Sequence, residues 1–311
     1  MKINLGKIEI LARRNSQFNK SNAISESFLK QLNDESLDYL KKLTKEEIFR
    51  RIRGLSLEGL SSNESKNRAL DLLKEKGIVV IPDFLEENVV NKISRANTAL
   101  LKEISEIKKN VDQYYEDQDI VVQSGEIRLK SYTDISNQGK TVVIIRQGQD
   151  LGMIDIFNLE RSRYHRELNL FDEFKNKKEL RQLINGFERD CEISNLNLYH
   201  NESIKKTRGF HMDDFSNTFK AFIYLTDVED LSCGPYCYVE GTHIPGPYRA
   251  ANLAIGRNCI NETESPYVPV SSIVPILAKK GGLVISDQTG IHRGIPQEQG
   301  FTRSVLVVRY Q

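Results

Sequence analysis

Phe210-His211-Met212-Asp213 stands just before an apolar stretch, and 81 residues after His211 a second histidine, His292, sits in Thr289-Gly290-Ile291-His292-Arg293-Gly294. Arg303 follows eleven residues later, at the head of Ser304-Val305-Leu306-Val307-Val308. Side chains two apart in an extended strand share a face, so His211 and Asp213 can offer a nitrogen and an oxygen to one cation. His292 completes the set once the fold brings it alongside. Two imidazoles and one carboxylate on one side of a metal leave three positions open, an arrangement suited to non-haem Fe(II) oxygenases. Arg303, Val305 and Val307 share a strand face, which turns a guanidinium inward among apolar neighbours. A buried guanidinium needs an anion, and one end of a small dicarboxylate fits its fork bidentately.

Several residues compete for these roles. Asp214 is a second carboxylate beside Asp213, but its strand parity is opposite to that of His211. Arg309 shares parity with Arg303 and is a rival anchor, placed near the chain end where solvent is close. His243 reads as a turn residue, His165 as part of a solvated helix face, and His200 as an exposed loop histidine.

The elements that must position this set are partly legible. Residues 1–60 are polar and helix-leaning, and are expected to form an extension packed on one main domain of residues 61–311. A helix over residues 68–76 should stop at Gly77, a natural cap. Residues 78–81 form a short β-branched run. A long helix follows, its stripe running through Val89, Ile93, Ala96, Leu100, Ile104, Ile107 and Val111. Strand candidates then accumulate at residues 120–122, 142–145, 193–199, 219–226, 236–239, 273–277, 283–286 and 304–308, interrupted by a helical block over 159–187. Short strands separated by Gly/Pro/Asn turns argue for a sandwich or closed barrel. No βαβ alternation and no glycine-rich phosphate loop is present. The expected class is α+β with a jelly-roll core and flanking helices.

Composition narrows the function. Of 311 residues 39% are hydrophobic, enough for a real core. Lys+Arg 44 against Asp+Glu 43 leaves a net charge of +1, with no basic excess to suggest nucleic acid. No apolar run long enough for a membrane span or a signal peptide occurs, so a cytoplasmic protein is expected. Cys191, Cys233, Cys237 and Cys259 lack the spacing of a zinc site and read as reduced thiols.

The chain resembles the phytanoyl-CoA dioxygenase family of Fe(II)/2-oxoglutarate oxygenases over residues 69–310. The resemblance rests on KGIVVIPDFL, FHMD, FIYLTDVEDLSCGPYCYVEGTH and GGLVISDQTGIHRG followed by FTRSVLVVRY. It implies a double-stranded β-helix, iron held by His211, Asp213 and His292, and the distal carboxylate of 2-oxoglutarate held by Arg303. A further co-substrate contact in the family comes from the strand before the His-x-Asp pair, which points to Asn197 or Tyr199. The implied cofactors are Fe(II), 2-oxoglutarate and O2. Related halogenases carry a small residue where Asp213 stands, so the carboxylate implies hydroxylation, or desaturation or ring closure after the same hydrogen abstraction. The substrate is expected to be a small molecule met by loops at residues 123–138, 146–152 and 245–268. These carry Arg128, Lys130, Arg146, Arg249 and Arg257, enough for an anionic substrate, although surface charge explains them almost as well; Arg146 is the favoured contact. Two readings stand beside this one: a jelly-roll metalloprotein that uses no 2-oxoglutarate, and a non-catalytic jelly-roll binding module.

Overall fold

The computed structural model describes residues 26–110, 112–124, 134–135, 137–186, 193–213, 218–256 and 263–310. Among the described residues three helices come first: α1 (Glu26–Lys41), α2 (Lys45–Arg53) and α3 (Asn63–Lys76). A capping box starts α2, in which the Glu47 amide donates to Thr44 Oγ1 at 3.2 Å and the Thr44 amide donates to Glu47 Oε2 at 2.8 Å. Its buried face, Ile48 and Ile52, joins the main core, and Arg51 Nη1 donates to the Ile273 carbonyl at 2.7 Å. Gly77 ends α3 with φ 79°, a left-handed value that glycine adopts freely. Strand β1 (Ile78–Ile81) is buried throughout, and helix α4 (Glu87–Asn110) follows it. The deepest residues of α4 are Val90, Ile93, Asn97, Leu100 and Ile104, so the stripe is rotated slightly from the Val89/Ala96 line.

The described residues that follow carry the strands β2 (Tyr114–Glu116), β3 (Ile120–Ser124), β4 (Thr141–Ile145), β5 (Ile154–Phe157), β6 (Ile193–Glu202), β7 (Phe219–Tyr224), β8 (Tyr236–Val239), β9 (Ile273–Pro275), β10 (Leu283–Asp287), β11 (His292–Gly294) and β12 (Thr302–Tyr310). Helices α5 (Leu170–Asn176) and α6 (Lys178–Asn185) separate β5 from β6, and α7 (Pro247–Gly256) separates β8 from β9. Nine strands form one sheet in the order β1-β10-β7-β12-β6-β5-β4-β3-β2, and β11-β8-β9 form a second. The small sheet faces the large one: Tyr236 of β8 stacks on Phe222 of β7 with ring centroids 5.0 Å apart, and its hydroxyl meets Ser286 Oγ of β10 at 3.1 Å. The class is α+β with a double-stranded β-helix core.

Alternation on β12 places Arg303, Val305, Val307 and Arg309 on one face, of which Arg303, Val305 and Arg309 line a cavity, and Leu306, Val308 and Tyr310 on the other. Register carries the pattern across the sheet, pairing Arg303 with Asn201 on β6 and Arg309 with Lys220 on β7. A second apolar cluster backs the small sheet and gathers Leu40 of α1 with Phe210, Met212, Cys237, Ile291 and Ile295.

Some expectations need correction. The block at residues 159–187 is two 3-10 turns followed by α5 and α6, and the loop at 245–268 contains α7. The short strands β2, β5 and β11 have no counterpart among the expected strands. Cys233 and Cys237 are free and buried, whereas Cys191 and Cys259 lie outside the described residues. No helix among the described residues is long and apolar enough to cross a membrane.

His165 is not on a solvated face. It is 1% exposed, with Nε2 2.6 Å from Asn97 Oδ1 of α4. Burial pushes its pKa from the ordinary 6.5 down to about 4. A lowered histidine pKa contributes stability that is complete above the unfolded value and lost as pH falls toward the folded one. We expect His165 protonation to remove roughly 2 kcal/mol by pH 5. His165→Gln should therefore show a smaller drop in melting temperature between pH 7 and pH 5 than the unmutated chain; an equal drop would rule out His165 as the titrating group.

Candidate metal centre

His211 and His292 share one rung. The His211 amide donates to the His292 carbonyl at 3.0 Å and the His292 amide donates back to His211 at 2.9 Å, the reciprocal pairing of an antiparallel hydrogen-bonded pair. His211 belongs to an isolated bridge rather than a regular strand. The Met212 amide nonetheless donates to Thr263 at 2.9 Å and the Asp213 amide to Gln288 at 3.1 Å, which holds the segment extended. The imidazoles stand with ring centroids 4.6 Å apart.

Each imidazole is fixed in the same way. His211 Nδ1 lies 2.8 Å from the Gly209 carbonyl, and His292 Nδ1 lies 2.8 Å from the Gly290 carbonyl. A carbonyl only accepts, so Nδ1 carries the proton and Nε2 keeps its lone pair. Burial, the second imidazole and Arg208 hold the pKa of His211 well below the ordinary value. Gly290 is a required glycine: a Cβ there would collide with the hydroxyl of the fully buried Tyr238, which donates to the Asp287 carbonyl at 3.0 Å.

Asp213 closes the set. Its Oδ1 lies 3.7 Å from His211 Nε2 and 3.6 Å from His292 Nε2. Ligand atoms of the three residues all lie within 4.8 Å of one another. Burial opposes ionisation of Asp213, but the Lys220 ammonium beside it outweighs this and holds the carboxyl well below the usual range. Two imidazole nitrogens and a carboxylate oxygen on one side of a cavity are a donor set that fits a single divalent cation.

Arg303 opens on the same cavity, whose volume is about 410 Å³. It is 8% exposed, and its Nη1 donates to the Gly234 carbonyl. Its Nε has no partner, and no carboxylate among the described residues lies within ion-pair distance of it. Burial lowers its pKa, yet a guanidinium stays charged in proteins. Gly294 lies against this group, since a Cβ there would come 3.2 Å from Arg303 Nη2. Asn201 Oδ1 and Gln288 Oε1, from cavity-lining residues, are also buried without partners. Buried polar atoms left unpaired in this way call for a ligand or for water. A charged donor and two carbonyl acceptors suit an anion that also carries ordered water.

The remaining expected residues divide. Tyr199 lines the cavity; Asn197 shares its strand face but lies outside the lining. Arg146 lines it too, with Nε 2.6 Å from Asp155 Oδ2 and Nη1 3.3 Å from Asp150 Oδ2. Arg309 faces the cavity rather than solvent. His200 sits within β6 and is largely buried, its Nδ1 2.8 Å from Ser304 Oγ, so it is not an exposed loop residue. His243 is in a turn, its Nε2 3.1 Å from the Lys74 carbonyl. Arg249 donates to the His243 carbonyl at 3.0 Å and is not part of the cavity lining. Asp214, Arg128, Lys130 and Arg257 lie outside the described residues. Sequence reasoning misses Lys220, Asn201 and Arg208. The signal for Lys220 is the one that exposes Arg303, a lone cation in an apolar strand.

No known family's sequence model matches the chain, and no curated protein matches it. Solved structures do. AviO1 from Streptomyces viridochromogenes Tue57 is 16% identical, with 80% of this chain and 96% of that chain covered and a TM-score of 0.53. The epimerase SnoN, solved in complex with Fe3+, α-ketoglutarate and nogalamycin RO, is 13% identical over 80% of this chain and 84% of that chain, with a TM-score of 0.51. EvdO2 from Micromonospora carbonacea var. aurantiaca is 16% identical over 78% of this chain and 89% of that chain, with a TM-score of 0.50. At these identities the likeness is one of fold: the chain has the architecture on which SnoN carries its iron and α-ketoglutarate.

Proposed function

We propose that this chain is an Fe(II)- and 2-oxoglutarate-dependent oxygenase of the phytanoyl-CoA dioxygenase-like kind. In this reading it hydroxylates an unactivated C–H bond of a small molecule. One observation carries the reading: Arg303, a buried guanidinium without a carboxylate among the described residues, opens on the same cavity as His211, Asp213 and His292. A metalloprotein that used no 2-oxo acid would gain nothing from burying that charge. His211, Asp213 and His292 would hold the iron, Arg303 the distal carboxylate of 2-oxoglutarate, and Tyr199 and Asn201 would border it. The ligand set of SnoN supports the same pairing of iron and 2-oxo acid. The chemistry such a centre would supply is oxidative decarboxylation of 2-oxoglutarate by O2, giving succinate and CO2, coupled to oxidation of a substrate C–H bond.

The chain's own share is placement. Two imidazoles with fixed tautomers and a carboxylate would hold the iron, and the inner faces of β6, β7 and β12 would exclude bulk water. The cavity holds the co-substrate and a small second molecule. Arg309 and an Arg146 that is paired with Asp150 and Asp155 line it, which supports a polar substrate. We assign residues 61–311 to one catalytic domain and residues 1–60 to an N-terminal extension; Leu40 of its described part shares an apolar cluster with Phe210 and Met212, which supports packing of that part on the domain.

Anaerobic titration tests the reading. Fe(II) and 2-oxoglutarate added together should produce a visible charge-transfer band that neither produces alone. A band that forms without 2-oxoglutarate, or never forms, overturns it. Candidate anionic and neutral substrates are then ranked by stimulated succinate release. Product mass separates outcomes, since hydroxylation adds one oxygen while desaturation or ring closure removes two hydrogens. Asp213→Gly tests the role of the carboxylate: it should open a position for azide or chloride, seen as a shift in the ferrous 2-oxoglutarate spectrum. Lys220 would remain there as counter-charge. Chlorinated product from the unmutated enzyme would contradict hydroxylation.

A further inference from the structure

Lys220 lies on β7, where its backbone pairs with Ser286 of β10 on one side and Arg309 of β12 on the other. It is 8% exposed, and its stem runs among cavity residues with Nζ 5.8 Å from the centroid of the Tyr199 ring. Nζ lies 2.5 Å from Asp213 Oδ2. The other carboxylate oxygen, Oδ1, is the one turned toward His211 Nε2 and His292 Nε2, at 3.7 Å and 3.6 Å. The two oxygens of Asp213 thus have different neighbours.

We propose that Lys220 is a positioning residue of the metal centre, which engages Oδ2 of Asp213 so that the carboxylate can offer the metal Oδ1 alone. This rests on the oxygenase reading above. An aspartate free to rotate about its last bond can chelate an ion through both oxygens, and a chelating carboxylate takes two positions. With two imidazoles that leaves two, enough for a 2-oxo acid and none for O2. An ammonium hydrogen-bonded to Oδ2 removes the second donor and keeps the third position open. It also places a positive charge near the ion, which weakens metal binding while favouring a dianionic co-substrate. Lys220 therefore has opposite effects on the two affinities.

The test uses the full chain under anaerobic conditions, with Mn(II) as metal probe followed by electron paramagnetic resonance, and Fe(II) with 2-oxoglutarate followed by the charge-transfer band. Lys220→Met should bind Mn(II) several-fold more tightly while needing at least about tenfold more 2-oxoglutarate for half the band; Lys220→Arg should return both toward the unmutated values. A merely structural role would move both affinities in the weakening direction, together with the melting temperature, and that result overturns the proposal. Unchanged affinities in Lys220→Met overturn it as well. A measurement on the unmutated chain covers the case in which the variants do not fold. In the infrared difference spectrum on Mn(II) addition, a carboxylate bound through one oxygen separates its antisymmetric and symmetric stretches more widely than the free ion. A chelating one separates them less. The wider splitting is expected, and a narrower one defeats the assignment. Absence of metal binding by the unmutated chain would sink the oxygenase reading itself, a result distinct from all of these.

Discussion

His292→Ala is expected to give a folded protein that no longer takes up stoichiometric iron and has no measurable turnover. The imidazole makes one hydrogen bond, from Nδ1 to the Gly290 carbonyl at 2.8 Å, while the rung that holds the strand is made by backbone atoms. Removing the ring thus leaves the sheet intact and takes away one of three metal donors. Loss of a partner that merely orients a ligand typically costs 10–100-fold in metal affinity, and loss of the ligand itself should exceed about 100-fold. His211→Ala should behave alike, because its ring is held by the matching bond to Gly209. Circular dichroism and melting confirm the fold, and metal analysis after anaerobic loading gives the occupancy. Either variant keeping near-normal activity with one iron per chain would refute the assignment.

Arg303→Lys should raise the Kd for 2-oxoglutarate about tenfold or more while leaving metal affinity within about twofold. Lysine keeps the charge but loses the planar fork, and a charge-assisted hydrogen bond is worth roughly 1.5–3 kcal/mol. It also gives up the bond from Nη1 to the Gly234 carbonyl. Titration of the charge-transfer band reads the effect directly. An unchanged Kd would move the carboxylate anchor to Arg309, on the same face of β12.

The components of the centre are more legible in the sequence than their arrangement. His211 and Asp213 can be paired from parity alone, and Arg303 stands out because a charge in an apolar strand needs a reason. That His211 and His292 face each other across one rung depends on a pairing between segments 81 residues apart, which local pattern does not encode. Lys220 escapes notice although Phe219-Lys220-Ala221-Phe222 gives the same signal as the last strand. Its value depends on where Oδ2 of Asp213 points, a side-chain torsion rather than a pattern. His165 reads as exposed only if its surroundings form one amphipathic helix, whereas the 3-10 turns there direct the ring inward to Asn97. Helix α7 is hidden by its start, because Gly246 followed by Pro247 reads equally well as the middle of a loop.

Phe210 and Met212 flank His211, and Ile291 flanks His292; all three are fully buried in the cluster with Leu40. Ligand and apolar residue thus alternate along the segment. A slip of one residue would push a large hydrophobic side chain into the polar cavity and an imidazole into oil, forfeiting roughly 1.5–3 kcal/mol for each misplaced apolar group. The hydrophobic residues behind the centre act as its alignment key, so the donors stand opposed before any ion arrives.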